Sequence, residues 1–328
     1  MHHRPHAFRM ALGIAITACA TFSTTASAGD LVEHWMETSQ EEVLAYWTNE
    51  RLAAVPDKGE AAIKPPGPDP LQTDGYPWRG TGPHPAGVGR LFLTRPDGED
   101  ASCTATVVDS LGGDILVTAW HCLAQLDEHG AVHWSRHLLF APFFENGTAP
   151  LGKYPVRRIV APQASISGAL DTSFLQTHTD ASGQGPARHA GSQAIRFDER
   201  PATGPRVTFG YPVSANGIGL IPPTPWYEFG NPEYTGQQLA YCATSRVELS
   251  PCRPFGSEKI LQWGLVCVQG PGSSGGPVLE AFDFDNGHGI VVGVNSMGVV
   301  NDGRAHLCSA ETEALAERAY WYIQQRTP

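Results

Sequence analysis

Short apolar runs recur through most of the chain, bounded by Gly, Pro and Asp. Runs of that length, rich in β-branched and aromatic residues and set between turn formers, predict strands. One set covers Gly89–Thr94, Ser102–Val108, Asp114–Ala119, His137–Ala141, Val156–Ala161 and Thr172–Thr177. A second covers Arg206–Tyr211, Gln238–Thr244, Ile260–Val268, Pro277–Ala281 and Gly289–Ser296. Residues 181–205 read as the connection between the sets, and 212–234, rich in Pro, Gly and aromatics, as a long surface loop. Two sets of about six strands suit an all-β architecture of two packed six-stranded antiparallel β-barrels, about 86–180 and 200–308.

Both ends of the chain break this rhythm. At the tail, Leu315, Ala319, Tyr322 and Ile323 fall on one helical face, and Ser309 with Glu311 and Glu313 supplies a start, predicting a C-terminal helix over 309–325. At the front, 29–85 is polar and punctuated. Ser39 and Glu42 match a capping box ahead of a helix over 41–54, with Val43, Leu44 and Trp47 as its apolar face. A Pro-rich linker follows at 65–70. This segment is expected to be a propeptide, or else an N-terminal arm that stays attached. Residues 1–28 read as a secretory signal: Arg4 and Arg9 precede the apolar run Met10–Phe22, too short to span a bilayer, and Ala26-Ser27-Ala28 gives the small-residue cleavage pattern.

Composition adds limits. Charged residues make up only 17%, against 36 Gly and 27 Pro, a balance that favours a loop-rich β protein. The net charge of -11 argues against nucleic acid or an anionic membrane surface as partner. Once Cys19 leaves with the signal, Cys103, Cys122, Cys242, Cys252, Cys267 and Cys308 remain. Export favours disulfides among them, and spacing alone leaves their pairing open. Zinc is disfavoured because no Cys-x-x-Cys pair occurs. His133 and His137 have metal-like spacing, but no glutamate follows the first and the run looks extended. Asn146-Gly147-Thr148 is a glycosylation sequon, relevant only in a eukaryotic secretory route.

Candidate chemistry gathers at two stretches. Gly272-Ser273-Ser274-Gly275-Gly276-Pro277 sets a serine among small residues between apolar runs, where the backbone can bend sharply and turn its N–H groups toward one spot. Alone, this is equally a turn between strands. Far upstream, Thr118-Ala119-Trp120-His121-Cys122 places a histidine at a strand end beside a cysteine. Together the stretches resemble the Thr-Ala-Ala-His-Cys and Gly-Asp-Ser-Gly-Gly-Pro signatures of the trypsin-like (chymotrypsin-fold) serine peptidases, and the order of histidine, aspartate and serine fits. The resemblance covers about residues 85–325, and the peptidase domain is expected over 86–328.

The resemblance implies Ser274 as nucleophile, His121 as base and Asp171 as orienting carboxylate. Asp127, Asp180 and Asp198 also lie between His121 and Ser274, but Asp171 directly precedes a short apolar strand, as the family aspartate does. It further implies an oxyanion hole from the N–H groups of Gly272 and Ser274, with Ser296 supporting the aspartate and Met297 and Gly298 pairing with substrate backbone. The implied disulfides are Cys103–Cys122, Cys267–Cys308 and, by what remains, Cys242–Cys252. The expected molecule is a secreted monomeric endopeptidase acting on proteins or peptides, made as a precursor, with no cofactor, metal, nucleic-acid or membrane partner. A catalytically inactive binding protein on the same fold, and an esterase using the same triad, are the alternatives.

Three departures from the family pattern stand out. Trp120 replaces a small residue, Ser273 replaces the common aspartate, and the stretch from Cys267 to Ser274 is longer than in the animal enzymes. The longer loop and missing aspartate look more like the streptogrisin and glutamyl endopeptidase groups of secreted bacterial members. Without that aspartate, activation is not expected to depend on a freed N-terminal amine.

Overall fold

The polar segment ahead of the first expected strand is itself structured. The computed structural model describes residues 30–55, 73–78, 83–167, 170–198, 204–213, 234–245, 248–250, 262–301 and 304–325. The expected signal, the Pro-rich linker, Cys252 and most of the 212–234 loop lie outside them. Strand β1 (Leu31–Trp35) leads into α1 (Gln40–Tyr46) and α2 (Asn49–Ala54), and β2 (Thr73–Pro77) comes later. Ser39 and Glu42 cap α1 reciprocally: the Glu42 N–H donates to Ser39 Oγ at 3.2 Å and the Ser39 N–H donates to Glu42 Oε2 at 2.8 Å. The expected single helix breaks after α1 because Thr48 caps a second one, accepting the Arg51 N–H at 3.2 Å. The break drives Trp47 and Leu52 inward, both at 0% exposure.

The first barrel contains β3 (Val88–Thr94), β4 (Asp100–Val107) and β5 (Ile115–Thr118), then a single 3₁₀ turn at Trp120–Cys122 and a small hairpin, β6 (Ala124–Leu126) with β7 (Val132–Trp134). It continues with β8 (Arg136–Pro142), β9 (Tyr154–Pro162), the short α3 (Gln163–Ile166) and β10 (Ser173–Thr177). The ladder runs β9-β10-β5-β4-β3-β8, and pairing of β8 with β9 closes the ring. Its interior is apolar: Leu91, Leu116, Phe140 and Leu175 are all fully buried. β1 adds to the outside of β9, from Leu31 opposite Pro162 to Trp35 opposite Arg158.

A connection with α4 (Ala187–Ala190) and β11 (Ala194–Ile195) leads to the second barrel. That barrel contains β12 (Arg206–Gly210), β13 (Ala240–Thr244), β14 (Glu248–Ser250), β15 (Gln262–Val266), β16 (Pro277–Asp283), β17 (His288–Asn301) and β18 (Arg304–Glu311). Its order is β14-β15-β18-β17-β16-β12-β13-β2, so no ladder joins β13 to β15 and the barrel is nearly, not fully, closed. Two devices hold that seam: a Cys242–Cys267 disulfide and the Val268 N–H, which donates to the Asp74 carbonyl at 2.7 Å.

The seam corrects the expected cysteine pairing. Cys103 and Cys122 are bonded to each other, but Cys242 bonds Cys267 rather than Cys252, and Cys267 does not bond Cys308. The β15–β18 register gives the reason. Cys308 lies opposite Gly264, while the Cys267 N–H donates to the Ala305 carbonyl, three residues along the strand. Three strand residues span roughly 10 Å, beyond the reach of a disulfide. Across the seam the Cys242 and Cys267 Cα atoms are 5.7 Å apart. Cys308 is disulfide-bonded as well.

The C-terminal helix also starts later than expected. α5 spans Ala314–Ile323 with Glu313 at its N-cap, because β18 keeps pairing with β17 as far as Glu311 opposite Gly293. Ser309 therefore belongs to a strand. We expect Cys242→Ser to lower unfolding stability by about 3 kcal/mol through loss of loop constraint. Denaturant titration measures the loss, and non-reducing peptide mapping should recover Cys242 joined to Cys267.

Candidate active site

The facing walls of the two barrels meet at Ser274. His121 sits on the 3₁₀ turn that follows β5, Asp171 just ahead of β10, and Ser274 in the turn before β16. β5 and β10 are paired neighbours, with Ser173 opposite Thr118. Their ends therefore lie side by side, bringing His121 to Asp171 across a gap of 50 positions in sequence.

His121 Nδ1 lies 2.7 Å from Asp171 Oδ2, and the His121 N–H donates to Asp171 Oδ1 at 3.0 Å. His121 Nε2 lies 2.9 Å from Ser274 Oγ. Ser296 Oγ donates to Asp171 Oδ2 at 2.6 Å. A carboxylate, an imidazole and a hydroxyl are thus linked in one chain, the arrangement that general-base activation of a hydroxyl requires. Of the other carboxylates considered, Asp127 accepts from the N–H groups of His129 and Ala131, Asp180 binds within its own loop and to His189, and Asp198 pairs with Arg196. The spaced histidines His133 and His137 go separate ways, the first to Asp127 and the second stacked on Tyr46 at 3.9 Å.

The electrostatics follow from this geometry. The surrounding protein disfavours a charged imidazole at His121, but the Asp171 carboxylate outweighs that and holds the His121 pKa above its ordinary 6.5. Burial pushes the Asp171 carboxyl up, but His121 and the bonds from Ser296 and the His121 N–H outweigh it, and the net shift is downward.

The loop carrying Ser274 is held by neutral hydrogen bonds. Ser273 is buried, and its Oγ donates to the Gly270 carbonyl at 2.7 Å. The Pro271 carbonyl accepts from the Val213 N–H at 2.7 Å, and the Gly272 carbonyl accepts from Thr104 Oγ1 at 2.9 Å. The Thr104 N–H donates to the Ser274 carbonyl at 2.8 Å. Asn295 Nδ2 reaches the carbonyls of Phe209 and Ser273 at 3.1 and 3.2 Å, and its Oδ1 accepts from Thr208 Oγ1 at 2.7 Å. Gly272 and Gly275 have positive φ, and a Cβ on Gly275 would lie 2.1 Å from Thr118 Oγ1. Neither the Gly272 nor the Ser274 N–H has a backbone acceptor among the described residues.

Beside Ser274 lies a cavity of about 170 Å³, lined by Gly270, Pro271, Ser296, Met297, Gly298 and Leu307 among others, and no charged side chain lines it among the described residues. Behind His121, Trp120 is buried in an apolar nest with Ala124, Ala161, Val132 and Ile166, edge-on to Trp134. Thr104 and Thr208 are site-supporting residues that lie outside the motifs, and Thr118, inside one, has a hydroxyl role that the motif does not show. A buried threonine in a strand looks like any β former until its hydroxyl partner is known.

Solved structures share this architecture. The protease Anisep from Arthrobacter nicotinovorans aligns with a TM-score of 0.57 at 23% identity, over 73% of this chain and 96% of that one. A thermostable serine protease, AL20, from an extremophilic microorganism gives 0.58 at 22%, over 74% and 99%. A Glu endopeptidase solved with MPD gives 0.51 at 17%, over 78% and 100%. No protein-family model matches the chain, and no curated protein matches it. The chain has the fold of the trypsin-like serine proteases.

A raised pKa means that protonated His121 contributes stability at acid pH, and that the contribution is lost as pH rises through the folded value. By NMR titration the His121 imidazole should titrate above 6.5. Asp171→Asn should move that midpoint down; an unchanged midpoint would mean that another group sets it.

Proposed function

We propose that the protein is a secreted serine endopeptidase. The observation that carries the reading is the continuous chain Asp171–His121–Ser274, with 2.7 Å and 2.9 Å between successive polar atoms. A binding module on this fold has no need of a hydroxyl aligned on an imidazole that is itself aligned on a carboxylate. The disulfides and the expected signal at 1–28 support export. No helix among the described residues is long and apolar enough to cross a membrane.

In this reading Ser274 Oγ attacks the scissile carbonyl carbon while its proton passes to His121 Nε2. The carbonyl oxygen becomes an oxyanion that the Gly272 and Ser274 N–H groups stabilise. Collapse breaks the C–N bond, and His121 gives the proton to the leaving amine. A water then attacks the acyl ester, giving a proton to His121. The ester C–O bond breaks, and the proton returns to Ser274 Oγ. Asp171, braced by Ser296, keeps the imidazole oriented. Met297 and Gly298 flank the cavity at the end where substrate backbone would pair with β17.

The cavity bears on the residue that supplies the scissile carbonyl. Its wall of small polar, apolar and backbone groups offers no counter-ion among the described residues, so burying Lys, Arg or Glu there would leave a charge unpaired, costing several kcal/mol. Asn295 cannot serve as that partner, because its amide is neutral, both its N–H groups go to the Phe209 and Ser273 carbonyls, and its oxygen accepts from Thr208. Among peptide substrates varied at this position, kcat/KM should favour uncharged side chains such as Leu or Met over Lys, Arg and Glu by about a hundredfold or more. A preference for any charged residue would defeat this assignment.

A fluorophosphonate label tests the function directly. It should attach at Ser274, and Ser274→Ala should abolish peptide cleavage, on the order of a millionfold, with the fold intact. Folded protein that resists the label would favour the binding-protein alternative. Cleavage of esters but not of peptides would favour an esterase.

A further inference from the structure

Residues 30–55 form a clasp whose contacts reach three parts of the molecule. β1 pairs with β9 along its whole length. Trp47 is fully buried against Phe92 at 5.3 Å between ring centroids, and its Nε1 donates to the His137 carbonyl at 2.6 Å. Glu33 supplies the carboxylate partner of Arg158, at 2.6 Å from a guanidinium only 3% exposed. Arg158 also donates to the carbonyls of Ile323 and Gln325 at the end of α5. Arg318 of α5 pairs with Asp30 at 2.7 Å, and Tyr322 Oη donates to Glu33 Oε2 at 3.0 Å.

The clasp also reaches the candidate site. His34 lies flat on Trp134, at 4.3 Å between centroids and 3° between planes. Trp134 meets Trp120 edge-on at 5.3 Å, and Trp120 immediately precedes His121. Three aromatic rings thus connect the arm to the turn that holds the imidazole.

A segment meant for removal should leave behind a surface that is stable without it. Here removal would strip a buried cation of its carboxylate, empty the slot of a fully buried tryptophan and re-expose the edge of β9. We propose that residues 30–55 remain part of the active enzyme rather than being discarded as a propeptide, and that His34, stacked on Trp134, is a positioning residue for His121. The inference rests on the hydrolase reading for its function, but each part of the test below has a readout independent of turnover.

The first measurement is made on protein exported from full-length chain. The folded species is isolated by native gel filtration, treated with fluorophosphonate, and its chains are identified by intact mass and N-terminal sequencing. Residues 30–55 should be present, covalently joined or as a co-eluting fragment. A folded, labelled species without them overturns the proposal. Should nothing label, the hydrolase reading fails, yet the N-terminal sequence of the folded protein still decides whether the arm is kept. The second measurement compares His34→Ala and His34→Phe in full-length chain. His34→Ala should fold, lower kcat about tenfold on a small ester with little change in KM, and alter the His121 titration read by NMR. His34→Phe, which keeps a flat ring on Trp134, should restore both. A His34→Ala variant whose His121 titration is that of the parent overturns the positioning role, whether or not the protein turns over substrate.

Discussion

The site depends on one buried hydroxyl. Thr104, on β4 of the first barrel, donates its Oγ1 hydrogen to the Gly272 carbonyl and accepts the Tyr211 N–H at 2.9 Å, while its own N–H donates to the Ser274 carbonyl. Its carbonyl in turn accepts Thr118 Oγ1 at 2.8 Å, from the strand that leads to His121. One residue therefore joins the loop that carries Ser274, the end of β12 and the strand that leads to His121. Each bond is worth only about 1 kcal/mol net. An unpaired buried partner costs more than that, so the three connections stand or fall together. This is how two separate barrels can hold Ser274 Oγ within hydrogen-bond reach of His121.

The second barrel's open seam poses a related problem a few residues upstream. β15 ends at the seam, and Cys267 and Val268 begin the loop that carries Ser274. An untethered edge there would let the loop sway. The Cys242 bridge and the Asp74 carbonyl fix its root from one side, and Trp78, edge-on to Phe209 and Tyr241, packs β2 behind them. Sequence ahead of the first barrel thus supports both barrels: β1, α1 and α2 brace the first, and β2 the second.

Most of the barrel architecture was legible in the sequence because barrel strands carry their signal locally, in alternation and in turn residues. β3, β4, β5, β8, β9, β10 and β12 lie where apolar runs predict them, within a few residues. β1 and β2 were illegible for the converse reason. Leu31-Val32-Glu33-His34-Trp35 and Thr73-Asp74-Gly75-Tyr76-Pro77 are too polar or too broken to signal strands, and they become strands only because β9 and β13 offer open edges. β18 was hidden by a helix start that looked plausible at Ser309, and the longer ladder with β17 overrode it. Cys103 and Cys122 are bonded as expected, but the expected Cys242–Cys252 and Cys267–Cys308 bridges fail, because a strand register, which decides which sulfurs meet, is not written in cysteine spacing. The grouping of His121, Asp171, Ser274 and Ser296 has a local trace in the sequence, a motif for His121, Ser274 and Ser296 and a following apolar strand for Asp171. Thr104 has none, because its importance lies wholly in what it touches.

The replacement of an aspartate by Ser273 fits this arrangement energetically. A buried carboxylate in that position would need a cation to offset several kcal/mol of desolvation. A serine needs only an acceptor, and Gly270, three residues back in the same turn, provides one. Asn295 completes the scheme: its side chain binds both the Ser273 carbonyl and β12, and its backbone pairs with Gly275 and Gly276, the two residues that follow Ser274. With neutral groups holding the loop, the ionisable groups hydrogen-bonded in line with Ser274 are, among the described residues, His121 and Asp171. The loop's shape is then set by contacts that do not titrate, so a change of pH that alters the imidazole leaves the frame around Ser274 in place. Protonation chemistry and loop geometry are carried by different residues, which lets the pair titrate without loosening the turn that presents the hydroxyl.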